Sequence, residues 1–276
     1  MEIRSKTGKV LVQFFLIVHC LMCLFPLVWL FTSSFKSNPE FFYNPGFIPQ
    51  QFSPENYTNA WVDGEFGEYF LNSVFYTITS VVGVLVISSL AAYTFTKLRF
   101  RGSMIIFSII IATIMIPLPG SFIQIYSILQ SLELLNTRLG YILVMIAASL
   151  PTSIFIMKGF FEQIPNEIIE AAKMDGCSPI GTWARISLPM ATPALATTGI
   201  LATLSVWNEY IIAAITFSSQ KLMPIQQGLM TFQGQYQTRY DLMIAATAIT
   251  IIPLILAYIF LNKQVIQGAS QGAVKG

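Results

Sequence analysis

Residues 69–96 read YFLNSVFYTITSVVGVLVISSLAAYTFT, a long stretch without a single charged side chain. A helix that spans the hydrocarbon core of a bilayer needs about 20 consecutive apolar residues, because each backbone polar group must be satisfied within its own helix. This stretch therefore predicts a transmembrane helix. The composition agrees, since 54% of the 276 residues are hydrophobic and 10% are charged, whereas soluble domains carry about a quarter charged residues.

Five further stretches meet or approach the same length. The stretch at about residues 10–31 is too long for the core of a signal peptide and lacks a small-x-small cleavage site, so we expect it to be a retained membrane anchor. We expect one transmembrane domain over residues 1–276, with its core at about 69–262 and a polar loop at about 159–190. The fold class is all-α, with six spans at about residues 10–31, 69–96, 103–126, 140–158, 191–217 and 241–262.

The positions of lysine and arginine predict the orientation, because cytoplasmic loops hold an excess of both. With the N-terminus inside, the outer side holds only Lys36, Arg138, Lys221 and Arg239. Both termini and the polar loop are then cytoplasmic, and lipid surrounds the spans. The net charge of +2 gives no reason to expect a nucleic-acid partner. The inner side collects eleven of the 15 basic residues, namely Arg4, Lys6, Lys9, Lys97, Arg99, Arg101, Lys158, Lys173, Arg185, Lys263 and Lys275.

The polar loop contains EAAKMDGCSPIGTWARISLP at residues 170–189. Pro165 suits the first turn of a helix, and Gly176 suits its left-handed end. Ser178 and Pro179 are typical of the N-cap and first turn of a second short helix. The pattern predicts a compact helix-turn-helix.

The first of these helices is predicted to be amphipathic. Ile168, Ala171 and Ala172 would share an apolar face, and Glu170 and Lys173 would lie on a charged one. Small residues let another protein approach closely. The loop is therefore interpreted as a docking helix for a soluble partner.

The spacing of this loop resembles the EAA loop of ABC importer permeases: Glu-Ala-Ala, three residues, Gly, nine residues, Ile-x-Leu-Pro. The resemblance implies the type I ABC importer permease fold with a cytoplasmic coupling helix. It also assigns roles, with the Glu-Ala-Ala residues in the docking helix, the glycine at its turn and two charged residues making added contacts. The residues concerned are Glu170, Ala171, Ala172, Asp175, Gly176, Arg185, Ile186, Leu188 and Pro189.

Other stretches resemble the carbohydrate branch, similar to the six-span maltose permease subunit. They are Asn72-Ser73, residues 90–93 through 99–102, residues 207–210 and the tail 272–276. The resemblance implies an extracytoplasmic binding protein, a sugar substrate, a second permease subunit in a heterodimer and two ATPase subunits in a bacterial cell membrane. ATP and Mg would bind the ATPase subunits, and this chain would bind no cofactor.

Trp207, Asn208 and Glu209 form a candidate substrate pathway in the fifth span. A carboxylate within a membrane segment costs a few kcal/mol on insertion scales and usually faces a bundle interior or an aqueous cavity. Glu209 would lie on the floor of a vestibule or in a polar contact between helices. The family more often has Asp at this position.

The loop after that span is rich in amides and aromatics, which suit sugar hydroxyls and the flat faces of sugar rings. Gln226, Gln233 and Tyr236 are its candidates for contact with substrate or binding protein. The same composition is typical of a plain solvated loop.

Catalysis by the chain itself is not expected. Only Lys6 and Lys36 precede Ser or Thr, and neither follows a glycine-rich loop, so the sequence lacks a phosphate cradle. His19, Cys20 and Cys23 fall in the first span, where cysteine behaves as a small hydrophobe. Two alternatives remain open: an ABC permease for a non-sugar solute such as a glycerol phosphate, and a secondary transporter without an ATPase.

Overall fold

The structure is a computed structural model that describes residues 6–98, 100–116, 118–234 and 238–273. It is mainly helical, and the only β contact among the described residues is an isolated bridge between Gln233 and Thr238. The α-helices are α1 (Lys6–Ser33), α2 (Glu40–Tyr43), α3 (Glu55–Trp61), α4 (Phe66–Lys97), α5 (Ser103–Ala112), α6 (Phe122–Ser131), α7 (Arg138–Phe161), α8 (Asn166–Met174), α9 (Pro179–Thr182), α10 (Leu188–Met190), α11 (Thr192–Trp207), α12 (Ile211–Thr216), α13 (Ile225–Met230) and α14 (Tyr240–Ala273).

Within the part of the chain that the structure describes, four helices are long and apolar enough to cross a bilayer: α1, α4, α7 and α14. They contain the predicted first, second, fourth and sixth spans. The segments Pro179–Met190 and α11 make a fifth candidate if the bent pair is one span. An all-α membrane fold is thus confirmed, and the number of six spans stays a prediction.

The predicted third span, residues 103–126, is not one continuous helix, and whether it crosses the membrane stays a prediction. The α5 helix passes into a 3₁₀ turn at Thr113–Met115, a second 3₁₀ turn covers Leu118–Ser121, and α6 follows. Ile116 between the turns is extended, with φ −84° and ψ 114°. A residue before proline is driven to this conformation by the proline ring, and Pro117 follows it in the sequence.

The predicted fifth span, residues 191–217, is also interrupted. Its long helix α11 ends at Trp207, and the short helix α12 begins only at Ile211. On the other side, α11 meets the segment Pro179–Met190 at an angle of 82°. At the break, the side chains of Asn208 and Glu209 make hydrogen bonds to backbone groups of α11 and α12.

The chain divides into two compact units, residues 1–67 with 229–252 and residues 68–228 with 253–276. The single permease domain stays a prediction. The second unit contains two buried apolar clusters. One includes Tyr93, Phe161 and Ile169, and the other includes Tyr76 and Tyr141. The first cluster packs against the polar loop. The second packs at the break between α11 and α12.

Candidate functional site

The polar loop forms the predicted helix-turn-helix. Gly176 ends α8 with φ +79°, in the left-handed region that glycine adopts without strain. The N–H of Cys177 then donates to the carbonyl of Ala172 over 3.0 Å. Pro165 differs from its predicted position: with ψ 137° it is the N-cap, one residue before the helix begins.

The second short helix also starts as predicted. Ser178 is its N-cap, and Ser178 Oγ accepts a hydrogen bond from the N–H of Gly181 over 3.1 Å, with Pro179 in the first turn. A π-helical turn at Trp183–Ser187 leads into α10. Local sequence signals thus account for the C-terminal end of α8 and for the start of α9.

The buried face of α8 differs from the predicted one. Ile169 and Ala172 are buried, whereas Ala171 is exposed and Ile168 is only half-buried. Ile169 packs into the cluster that also contains Met157 and Phe161 of α7. Burying a side chain of this size contributes about 1.5–3 kcal/mol, so it fixes which face α8 turns to the helices and leaves Ala171 on the open face.

The open face carries charges without partners and two exposed apolar side chains. Within the described residues Glu170, Asp175 and Arg185 are exposed and make no ion pair. Met174 is 88% exposed and Ile180 is 70% exposed. The sequence pattern did not indicate that these two apolar residues are exposed, because the charged residues beside them dominate the pattern. Exposed apolar side chains among charged ones are typical of a docking surface.

The loop is joined to the end of α4 as well as to α7. Lys97 Nζ donates to the carbonyl of Ile164 over 2.6 Å and to Asn166 Oδ1 over 3.1 Å. Tyr93 of α4 lies in the same apolar cluster as Ile169. A displacement of α8 therefore acts directly on α4 and α7.

The break after α11 is built by two polar side chains. Asn208 Nδ2 donates to the carbonyl of Leu204 over 2.9 Å, and the same carbonyl accepts the backbone N–H of Asn208 over 3.2 Å. Glu209 Oε1 accepts from the N–H of Ile212 over 2.7 Å, which satisfies the start of α12. Trp207 is buried against Phe70, with ring centroids 5.8 Å apart. Trp207, Asn208 and Glu209 thus lie where the helix is interrupted.

One of the loop amides meets this break. Gln226 Nε2 donates to Asn208 Oδ1 over 3.3 Å, and Asn208 is exposed while Gln226 is half-buried. Gln233 lies in the other compact unit, with its Nε2 4.0 Å from Met243 Sδ. Tyr236 lies outside the described residues. Of the three candidate loop residues, the structure places Gln226 beside the predicted pathway residues.

Residues 211–225, here called the connecting segment, are held by one face of α4. Asn72 Nδ2 donates to the carbonyls of Lys221 and Met223 over 2.8 and 3.1 Å. Tyr76 Oη donates to the carbonyl of Leu222 over 2.8 Å. Ser73 Oγ accepts from the N–H of Ile225 over 2.7 Å. The spacing of these α4 residues puts them on adjacent turns of one helix face.

Asn136 holds the other end of the connecting segment. Its N–H donates to the carbonyl of Thr216 over 2.8 Å, and its Oδ1 accepts from the N–H groups of Ser218 and Ser219 over 3.1 and 3.0 Å. Arg138 Nη2 donates to Asn72 Oδ1 over 3.2 Å and so links the two anchor points. No sequence signal singled out Asn136, because its partners are backbone atoms about 80 residues away.

A cavity of about 560 Å³ lies between α6 and α7. Its walls are mainly aliphatic, and Thr113, Ser121 and Thr152 are its hydroxyl-bearing residues. Such a lining suits acyl chains or apolar side chains better than a polyhydroxylated ligand.

Among the described residues, no group of three or more His, Cys, Asp or Glu side chains could hold a metal ion.

Residues 84–271 match the profile of the binding-protein-dependent transport system inner membrane component. The chain belongs to this family. As a permease it is a multi-pass membrane protein, and the resemblance inferred from the EAA spacing is confirmed.

Individual relatives cover almost the whole permease. A probable ABC transporter permease protein of Bacillus subtilis is 34% identical over 98% of this chain and 89% of its own. A diacetylchitobiose uptake system permease protein of Streptomyces coelicolor is 30% identical over 94% of this chain and 87% of its own. A bacterial ABC transporter that imports the acidic polysaccharide alginate contains a chain with TM-score 0.83 and 26% identity, over 95% of this chain and 99% of that one.

Proposed function

We propose that this permease is the membrane subunit of an ATP-driven sugar importer and that its cargo is an oligosaccharide. The exposed residues of the loop helices support the proposal, because Glu170, Asp175 and Arg185 make no ion pair within the described residues, and Met174 and Ile180 are exposed apolar side chains of the same loop. Such a surface fits a soluble protein partner. Two ATPase subunits, which would hold ATP and Mg, a second permease subunit in a heterodimer and an extracytoplasmic binding protein complete the proposed assembly.

The coupling step follows from how α8 is attached. Closure of the ATPase subunits would move α8, whose Ile169 packs with Tyr93 of α4 and Met157 of α7. Lys97 ties the start of α8 to the end of α4. The motion would pass into both membrane helices and turn the permease between inward-facing and outward-facing states. The chain itself would transmit the energy of ATP hydrolysis without catalysing it.

The distribution of charge supports the proposed orientation of the permease in the membrane. With six spans, eleven of the 15 lysines and arginines would fall on the side of the loop helices and both termini, and such an excess is typical of the cytoplasmic side. The break at Asn208 and the connecting segment would then face outward. Sugar released by the binding protein would first meet this end of the pathway.

The amide pair of Asn208 and Gln226 supports a sugar as the cargo. Amides offer both donors and acceptors to hydroxyl groups, and Asn208 is exposed. One relative is named for diacetylchitobiose uptake, and a structural neighbour imports alginate. A glycerol phosphate would need cationic groups, and neither Asn208 nor Gln226 supplies one. The solute held by the co-purified binding protein distinguishes these cargoes.

The charge reversal Glu170→Lys tests the coupling role. We expect uptake to be lost and ATPase activity to become independent of the binding protein, while the chain still inserts in the membrane. The matched control is Glu55→Lys, a reversal at another exposed carboxylate, in α3. Normal uptake by Glu170→Lys would contradict the proposal.

A further inference from the structure

The chain after α1 turns back alongside the helix that it has just left. Trp29 Nε1 donates to the carbonyl of Pro45 over 3.3 Å. The rings of Phe25 and Phe47 meet edge to face, with centroids 5.0 Å apart. Because α1 continues to Ser33, residues 45–47 lie beside its last turns rather than beyond its end.

The loop that turns back alongside α1, residues 41–48, is held in place by a buried polar network. Lys36 Nζ donates to the carbonyls of Asn44 and Gly46 over 2.8 and 2.5 Å. Glu40 Oε1 accepts from Asn44 Nδ2 over 2.6 Å and from the N–H of Gln50 over 2.7 Å. Lys36 and Glu40 are fully buried. The loop therefore has one defined shape.

The carboxylate of Glu40 is one of the groups in this network. Burial raises the pKa of Glu40, but hydrogen bonds from Gln50 and Asn44 and the nearby charge of Lys36 outweigh burial and bring the pKa below its usual value. The carboxylate is therefore ionised, and its Oε1 is hydrogen-bonded inside the loop. Residues 41–54 contain no charged residue, so the side chains on the surface of the loop are uncharged.

The outward side chains of the loop are large and apolar. Ile48 is 81% exposed, Phe42 74% and Tyr43 61%. Monomeric soluble surfaces rarely expose such groups next to one another. Aromatic side chains are instead enriched where a membrane protein meets the headgroup region.

The depth of the loop follows from the length of α1. An α-helix rises 1.5 Å per residue and the hydrocarbon core takes about 20 residues. Counted from Lys9, the last charged residue before the apolar stretch, the core extends to about Trp29. Phe25 then lies roughly 6 Å inside the core. Phe47, in contact with Phe25, is at hydrocarbon depth.

We infer that residues 41–48 form an interfacial anchor that dips into the lipid leaflet at the C-terminal end of α1. Phe47 and Ile48 lie among acyl chains, and Trp29 and Tyr43 lie at the level of the headgroups. Lipid is the partner because the loop is uncharged and sits at hydrocarbon depth. This inference requires only that α1 crosses the membrane, and it is independent of the proposed cargo and ATPase.

The test is a nitroxide spin label at position 48 of the permease, co-expressed with its partner subunits and reconstituted in phosphatidylcholine nanodiscs. The label is attached to Ile48→Cys after Cys20, Cys23 and Cys177 are replaced by alanine. Because Ile48 is largely exposed, the change removes little packing. The control label is at Thr58→Cys, an exposed site in α3.

We expect the label at 48 to collide several-fold more often with oxygen, which concentrates in lipid, than with a water-soluble nickel complex, and the label at 58 to show the reverse. Equal access of the nickel complex to both labels would place the loop in water and overturn the inference. A label at 48 shielded from both reagents would indicate a protein partner and would also overturn it.

Discussion

The side chain of Gln226 donates from Nε2 to Oδ1 of Asn208 over 3.3 Å, across 18 residues of chain. Asn208 directly follows the last residue of α11, and Gln226 lies in the first turn of α13. Glu209, next to Asn208, holds the first turn of α12. The predicted pathway residue Asn208 and the loop amide Gln226 are thus in contact, and the connecting segment lies between them in the chain.

Gln226→Ala tests whether this amide pair contacts sugar. A neutral hydrogen bond contributes about 0.5–1.5 kcal/mol, so we expect the sugar concentration for half-maximal uptake to rise about 3-fold to 10-fold. ATPase activity without binding protein should not change. Gln220→Ala, at an exposed amide of the connecting segment, is the control. Equal uptake by both variants would remove Gln226 from the pathway.

Glu209 is tested by three substitutions. Glu209→Ala removes the acceptor for the Ile212 N–H, which costs about 1 kcal/mol and lowers the Tm by about 2–4 °C. Glu209→Gln keeps an acceptor oxygen and should keep the Tm. Glu209→Asp shortens the side chain by one methylene and should lose most of the bond. Thermal unfolding in detergent measures all three.

Uptake by Glu209→Gln then distinguishes the two interpretations of this residue. A polar group that only stabilises the break needs no charge, so Glu209→Gln should transport normally. If its uptake falls while its Tm is unchanged, the carboxylate acts in the pathway. We expect normal uptake, because Glu209 Oε1 is engaged by the backbone N–H of Ile212.

The sequence predicted the loop helices well, because their ends depend on local signals. Gly176 and Ser178 act within a few residues of their own positions. The connecting segment could not be predicted in this way. Asn72 contacts backbone atoms about 150 residues along the chain, and no local pattern encodes such a contact. The exposed face of α8 was misassigned, since Ile169 turns inward only because Tyr93 and Phe161 lie there.

The two broken spans illustrate the limit of hydropathy. Residues 103–126 and 191–217 are apolar enough to predict continuous helices, yet backbone hydrogen bonding decides continuity. Proline residues in the first stretch lack an N–H. In the second stretch Asn208 and Glu209 supply side-chain partners that compete with the helix. Average hydrophobicity contains no information on either effect.

Asn136→Gly should loosen the connecting segment. Asn136 has φ 55°, which glycine tolerates, so the change removes the acceptor for Ser218 and Ser219 without strain. Asn136→Asp keeps that acceptor and tolerates the same φ. We expect trypsin to cut after exposed Lys221 several-fold faster in Asn136→Gly than in Asn136→Asp. Equal cutting rates would show that Asn136 does not anchor the segment.

Met174→Ser with Ile180→Ser tests whether apolar contacts carry the docking of the ATPase subunits. Full burial of each side chain would contribute about 1.5–3 kcal/mol, so each change should weaken binding about tenfold or more. Little effect on folding is expected, since Met174 is 88% and Ile180 70% exposed. Titration of purified ATPase onto the permease in nanodiscs measures the affinity. Val62→Ser, at an exposed apolar residue of the other unit, is the control. Unchanged affinity in the double variant would assign docking to the charges of Glu170, Asp175 and Arg185.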